Sequence, residues 1–186
     1  MKNLRMKITI AAACALATAV VSGVTARTPD DDEVIISAQM SGLNETPTPN
    51  TSRAVATFRG KISSDRTTIT YTLEWSGLTT LPTQSHIHFG APKITGGVMV
   101  FLCGGGGKPV CTQATSGEAH GTITAGDIVG PAGQGIPPAP DGAFADVLRA
   151  IRTGNAYANL HTTKYPGGEV RGKVFVHSDR DEDDGN

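Results

Sequence analysis

Aromatic residues are scarce, at 5% of 186 positions, and there is a single tryptophan. Set against 23 glycines and 11 prolines, that scarcity suggests a turn-rich β protein. No run of basic residues occurs, and the formal net charge is −1, which argues against nucleic-acid binding. No Gly-x-Ser-x-Gly stretch occurs, so the usual setting of a hydrolase nucleophile is missing. There is no internal repeat. Beyond the first 26 residues no stretch is apolar for long enough to cross a bilayer. Cysteine is almost absent, with three in the whole chain.

The N-terminus is the exception to this polarity. Lys2, Arg5 and Lys7 precede an apolar run over 8–21, and small residues follow from Ser22 to Ala26. This is the pattern of a secretory signal peptide over 1–26, cleaved after Ala26. The run falls short of the roughly 20 residues that a spanning helix needs. Cys14 sits inside the run with alanines before it, a poor setting for lipid attachment. Removal of the leader takes away three basic residues and no acidic one, so the mature charge is 13 − 17 = −4. Residues 27–33 and 178–186 are acidic and expected to be disordered. One domain, 34–177, lies between them. The expected location is outside the cytoplasm, in the periplasm or the medium. There the two remaining cysteines, Cys103 and Cys111, should pair as a disulfide across a glycine-rich loop; the alternative is a metal-binding thiol pair.

Within the domain, period-two alternation predicts strands over 34–40, 53–63, 67–75, 118–124, 156–162 and 169–176. The clearest is 67–75, with Ile69, Tyr71, Leu73 and Trp75 facing inward and Thr68, Thr70, Thr72 and Glu74 outward. Residues 98–102 are continuously apolar, as in a strand buried on both faces or an edge covered by a loop. A histidine-bearing strand follows Pro82. The last strand should place Val170, Gly172, Val174 and Val176 inward, with Glu169, Arg171 and Lys173 outward. One short helix is expected after Asp141, which can cap it, because Phe144, Val147, Leu148 and Ile151 follow i, i+3, i+4, i+7 spacing. Residues 130–141, rich in glycine and proline, read as a surface loop. Eight short strands with turns between them predict an all-β, immunoglobulin-like antiparallel β-sandwich or partly closed barrel with one short helix.

The stretch Ser85-His86-Ile87-His88-Phe89-Gly90 carries the chemistry. On a strand His86 and His88 share a face, with Cβ atoms about 7 Å apart. His161 ends a later strand on which Tyr157 and Asn159 occupy the same face. A His-x-His pair plus one histidine from another strand is a recurring site for zinc or copper. In that reading Tyr157, Asn159, Glu169 and Arg171 are the candidates to orient the rings. The other reading is a structural polar network of the same histidines with Glu169 and Arg171. His177 borders the acidic tail and is expected to be solvated.

Four stretches, in order, resemble a known family. They are Ala38-x-x-x-Gly42-Leu43-x-Glu45-x-Pro47, His86-Ile87-His88-x-Gly90, Gly154-x-x-Tyr157-x-Asn159-x-His161-Thr162, and Pro166-Gly167-Gly168-Glu169-Val170-Arg171-Gly172. Together they are similar to the CHRD domain, defined in chordin and found singly in secreted bacterial proteins. The resemblance implies an immunoglobulin-like barrel, loosely similar to copper/zinc superoxide dismutases, and carries no established biochemical role. The order His86, His88, His120, His161 echoes the dismutase order. A dismutase zinc-loop cluster of histidine and aspartate is missing, and His120 is expected on an outer face. The first functional expectation is an exported module that binds a protein or surface polymer. The second is a copper- or zinc-binding exported protein, and the third a dismutase-like oxidoreductase.

Overall fold

Alternation drives the architecture. A strand with apolar residues at every second position must lay one face on a core, and several such strands occur along this chain. The structure, a computed structural model, describes residues 34–140 and 143–177. The leader at 1–26, the acidic stretches 27–33 and 178–186, and the helix cap expected at Asp141 lie outside them. The described residues form nine strands: β1 (Val34–Ser41), β2 (Val55–Ile62), β3 (Ile69–Ser76), β4 (Pro82–Phe89), β5 (Gly97–Cys103), β6 (Gly117–Ile123), β7 (Ala156–Thr162), β8 (Val170–Lys173) and β9 (Phe175–His177). One α-helix, α1 (Phe144–Arg152), precedes β7. No helix among the described residues is long and apolar enough to cross a membrane.

All neighbouring strands are antiparallel, in the order β5-β4-β7-β8-β1-β2-β3-β6, with β9 also paired to β1. The sheet curls until its two ends nearly meet. Val129 N–H donates to Met99 O at 2.9 Å, Ile128 bridges Val100, and the Tyr71 hydroxyl donates to Leu102 O at 2.6 Å. The apolar run in β5 is therefore an edge covered by the segment that follows β6, the second of its two expected settings. The barrel interior holds Ile36, Phe58, Ile62, Ile69, Leu73, Ile87, Met99 and Leu102, all fully buried. The helix closes one flank through Phe144, Val147, Leu148 and Ile151, the four residues its spacing selected.

Two expectations are corrected. The terminal strand over 169–176 is two strands, Val170–Lys173 and Phe175–His177, divided at Val174, whose N–H still bonds Ala156 O on β7 at 2.9 Å. The count is nine strands, not eight. Glu169 shares the outer face of Arg171 but is not solvated there. It is completely buried and accepts hydrogen bonds from Ser52 Oγ (2.6 Å), Thr79 N (2.9 Å), Thr79 Oγ1 (3.1 Å) and Thr162 Oγ1 (2.7 Å). A buried carboxyl group is tolerated only with such partners.

Cys103 and Cys111 form a disulfide. The loop-entropy account gives about 2.5 kcal/mol for a ring this small. Replacing both with serine should lower the unfolding free energy by that amount and leave the far-ultraviolet spectrum of the folded protein unchanged. Trp75 is buried in register with Ala56 and Gly117, and its Nε1–H donates to Ala114 O at 3.0 Å. Trp75→Ala should cost roughly 3–5 kcal/mol, and native tryptophan emission should be blue-shifted from that of a hydrated indole.

A candidate metal centre

Among the described strands, β7 alone is buried along its whole length. Its inner face, Ala156, Ala158 and Leu160, meets the core. Its outer face, Tyr157, Asn159 and His161, would meet water in an ordinary barrel. Here loops cover it. The pairing of β4 with β7 sets His86 opposite Asn159, His88 opposite Tyr157 and Gln84 opposite His161. The pairing of β7 with β8 sets Asn159 opposite Arg171. Because paired residues share a face, one polar patch runs across β4, β7 and β8.

The three histidines converge in this patch. One ring nitrogen from each lies within 4.8 Å of the others. The His86 ring is 4.5 Å from His88 and 4.6 Å from His161, centroid to centroid, and packs edge-on against Phe101 at 5.2 Å. His88 Nδ1 lies 2.9 Å from Gly96 O, and His161 Nδ1 lies 2.9 Å from Pro166 O. A carbonyl oxygen only accepts, so both Nδ1 atoms carry the proton and donate. Each Nε2 is then left with its lone pair. His161 Nε2 and His86 Nδ1 are buried and have no hydrogen-bond partner.

Burial keeps the rings neutral. Desolvation, reinforced by the neighbouring His88 and His161, pushes the His86 imidazole down to about 2. Desolvation lowers His88 to about 4, against the raising effect of its bond to Gly96. His161 is lowered for the same first reason, opposed by its bond to Pro166. Rings held neutral by burial present lone pairs rather than protons.

The residues expected to orient these rings divide. Tyr157 lies flat on His88, with centroids 4.5 Å apart and planes 9° apart, and its hydroxyl accepts from Gly96 N–H at 3.1 Å. Arg171 lies over Tyr157, its Cζ 3.4 Å from the ring centroid. Asn159 donates to Glu45 Oε1 at 2.8 Å and to Val170 O at 3.2 Å. Glu169 sits among Ser52, Thr79 and Thr162 instead. Neither Glu169 nor Arg171 is hydrogen-bonded to a ring, so the network expected between them and the histidines does not form. The groups that hold the rings are the backbone carbonyls of Gly96 and Pro166. The turn residues Gly96-Gly97 and Pro166-Gly167 marked those loops in the sequence, but not the carbonyls' direction. His120 is exposed on β6 opposite Thr72, away from the cluster. His177 is exposed on β9 and within 2.8 Å of Ser37 Oγ.

Glu45 is the buried acid that sequence reasoning missed. It is 6% exposed, and burial raises its carboxyl to about 7, against the lowering effects of Asn159, Arg171 and the Thr46 amide. Gly168 makes room for it. A Cβ there would lie 2.7 Å from both Glu45 carboxylate oxygens, and the backbone has φ +129. A raised acid favours the folded state most below its unfolded value of 4.5, and that contribution is lost as pH rises through about 7. The depressed histidines act oppositely: their contribution is full above 6.5, and that of His88 is lost as pH falls toward 4. For metal-free protein, urea titrations should show stability declining on both sides. Glu45→Gln should remove the decline between pH 6 and 8 and keep the one below pH 6.

Fold and site together describe a small antiparallel barrel with a loop-covered, histidine-lined recess, consistent with a binding module. The chain belongs to the CHRD domain family, which matches residues 36–174. No curated protein and no solved structure matches it.

Proposed function

We propose that this CHRD domain is a transition-metal-binding module, with His86, His88 and His161 as the protein ligands of one Cu²⁺ or Zn²⁺ ion. The observation that carries the reading is the pair of buried, unpartnered nitrogens, His86 Nδ1 and His161 Nε2. A buried polar atom without a partner costs about 1–3 kcal/mol, and a cation held among the three rings would supply the missing partner. The rest of the donor set fits. Histidines that ligate metal almost always donate their other ring N–H to a carbonyl, carboxylate or water, as His88 and His161 do to Gly96 and Pro166. Three imidazoles without a thiolate suit copper(II) and zinc. Bonds of 2.0–2.1 Å require the rings to close somewhat from their present spacing. The leader-like N-terminus and the disulfide support work outside the cytoplasm, where a cytosolic metal pool does not set occupancy.

Calorimetry of chelator-treated protein tests the reading: one equivalent of Cu²⁺ or Zn²⁺ should bind near pH 7. Absence of heat for both ions, with elemental analysis of the native protein showing no metal, would refute it. Proton competition should set in late. Solvent-exposed imidazoles lose metal below about pH 6.5, whereas binding here should persist to about pH 5 and fail toward pH 4, where His88 takes its proton.

A further inference from the structure

We infer a second site beside the metal centre, a groove that takes a carboxylate-bearing sugar unit of an acidic polysaccharide. It does not depend on the metal. The groove encloses about 270 Å³ and is lined by, among others, Gln39, Asn44, Lys93, Arg171, Lys173 and Phe175.

Three cations meet there in a chain with more acidic than basic residues, 17 against 16. Among the described residues the salt bridge is Lys108–Asp127, on another part of the barrel. Among the described residues, Lys93, Arg171 and Lys173 have no carboxylate within 4 Å. Arg171 is the most informative of the three. It is only 5% exposed, stacked on Tyr157, and uses one N–H to bond Ile94 O at 2.8 Å. Glu45 feels its charge from beyond ion-pair distance, and burial holds that carboxyl near 7. A guanidinium withdrawn from water with no anion against it is unfavourable. Lining a cavity, it offers its remaining N–H donors to an oxyanion, and its planar fork matches a carboxylate in two-point fashion.

The other walls select what carries the carboxylate. Gln39 and Asn44 bring amides that both donate and accept, as hydroxyl groups require. Phe175 is 53% exposed, with Lys173 Nζ 5.1 Å from its ring centroid. It is an apolar platform with a charge beside it, suited to the C–H face of a sugar ring next to its carboxylate. The groove is open on one side, so neighbouring units of a polymer can continue past it.

The test uses chelator-treated full-length protein and trigalacturonate, with its methyl ester as the neutral control. Trigalacturonate should bind and the ester should bind at least about tenfold more weakly, as loss of charge-assisted hydrogen bonds implies. Lys93→Gln and Lys173→Gln, both surface changes that leave the fold and metal affinity intact, should each weaken binding several-fold, and the pair about tenfold or more. Arg171→Gln should abolish it; because that variant risks misfolding, the lysine variants decide. Equal affinity for acid and ester, or no change in the double lysine variant, overturns the proposal. So does inorganic phosphate, or an anionic phospholipid vesicle, that displaces trigalacturonate at equal charge concentration, since a bare oxyanion site would then suffice.

Discussion

His88→Ala is expected to weaken Cu²⁺ and Zn²⁺ binding by about 100- to 1000-fold. Four-ligand zinc sites bind with roughly 10–16 kcal/mol, or about 3–4 kcal/mol per ligand, and each 1.4 kcal/mol is tenfold. His161→Ala should match it. His86→Ala should do the same and, in metal-free protein, should also remove the buried unpartnered Nδ1, so apo stability should rise or hold while affinity falls. That opposite movement separates a ligand from a packing residue, whose removal would lower stability and leave calorimetry untouched. His120→Ala and His177→Ala should leave affinity unchanged, since both lie exposed on β6 and β9. Equal affinities for wild type and His88→Ala would rule out the three-histidine site.

Glu169→Ala should be the most destabilising polar substitution in the domain, on the order of 5 kcal/mol. Four hydrogen bonds end on this one carboxylate. Bonds to charged groups contribute roughly 1.5–3 kcal/mol each, and the sum is reduced because the four act as a unit. The residue ties Ser52 and Thr79, from two separate connections, and Thr162, at the end of β7, to the start of β8. A drop in melting temperature of about 10 °C or more is expected. Glu169→Gln should recover part of it, because the amide oxygen still accepts two of the four bonds. A shift within about 0.5 kcal/mol for Glu169→Ala would show that these contacts are not made in solution. Metal affinity should change little in either variant, because no ring nitrogen touches Glu169.

How much was legible depended on how local the signal was. Strand 67–75 could be read because burial on one face needs nothing but the alternation of Ile69, Tyr71, Leu73 and Trp75. Helix α1 could be read for the same reason at a different period. The disulfide followed from two cysteines on one loop. The shared face of His86 and His88 is a consequence of two-residue spacing on any strand. Glu169 and Arg171 misled the same logic. Alternation placed both outward, and on a bare sheet both would be solvated. In this barrel loops from elsewhere in the chain fold over that side, so the outward direction leads into a second interior.

The chain's own local patterning therefore determined the strands, the helix, the inner core and the parity that pairs His86 with His88. Tertiary structure alone decided three things. It brought His161 to that pair, because β7 docks beside β4 across more than 70 residues of sequence. It placed Gly96 O and Pro166 O against two Nδ1 atoms and so left the opposite nitrogens free. It buried Glu45, Glu169 and Arg171 beneath loops. The physical reason is that strand periodicity specifies a side chain's face but not what will cover that face. Cover is a contact between segments remote in sequence, and its energy appears only when the barrel has closed.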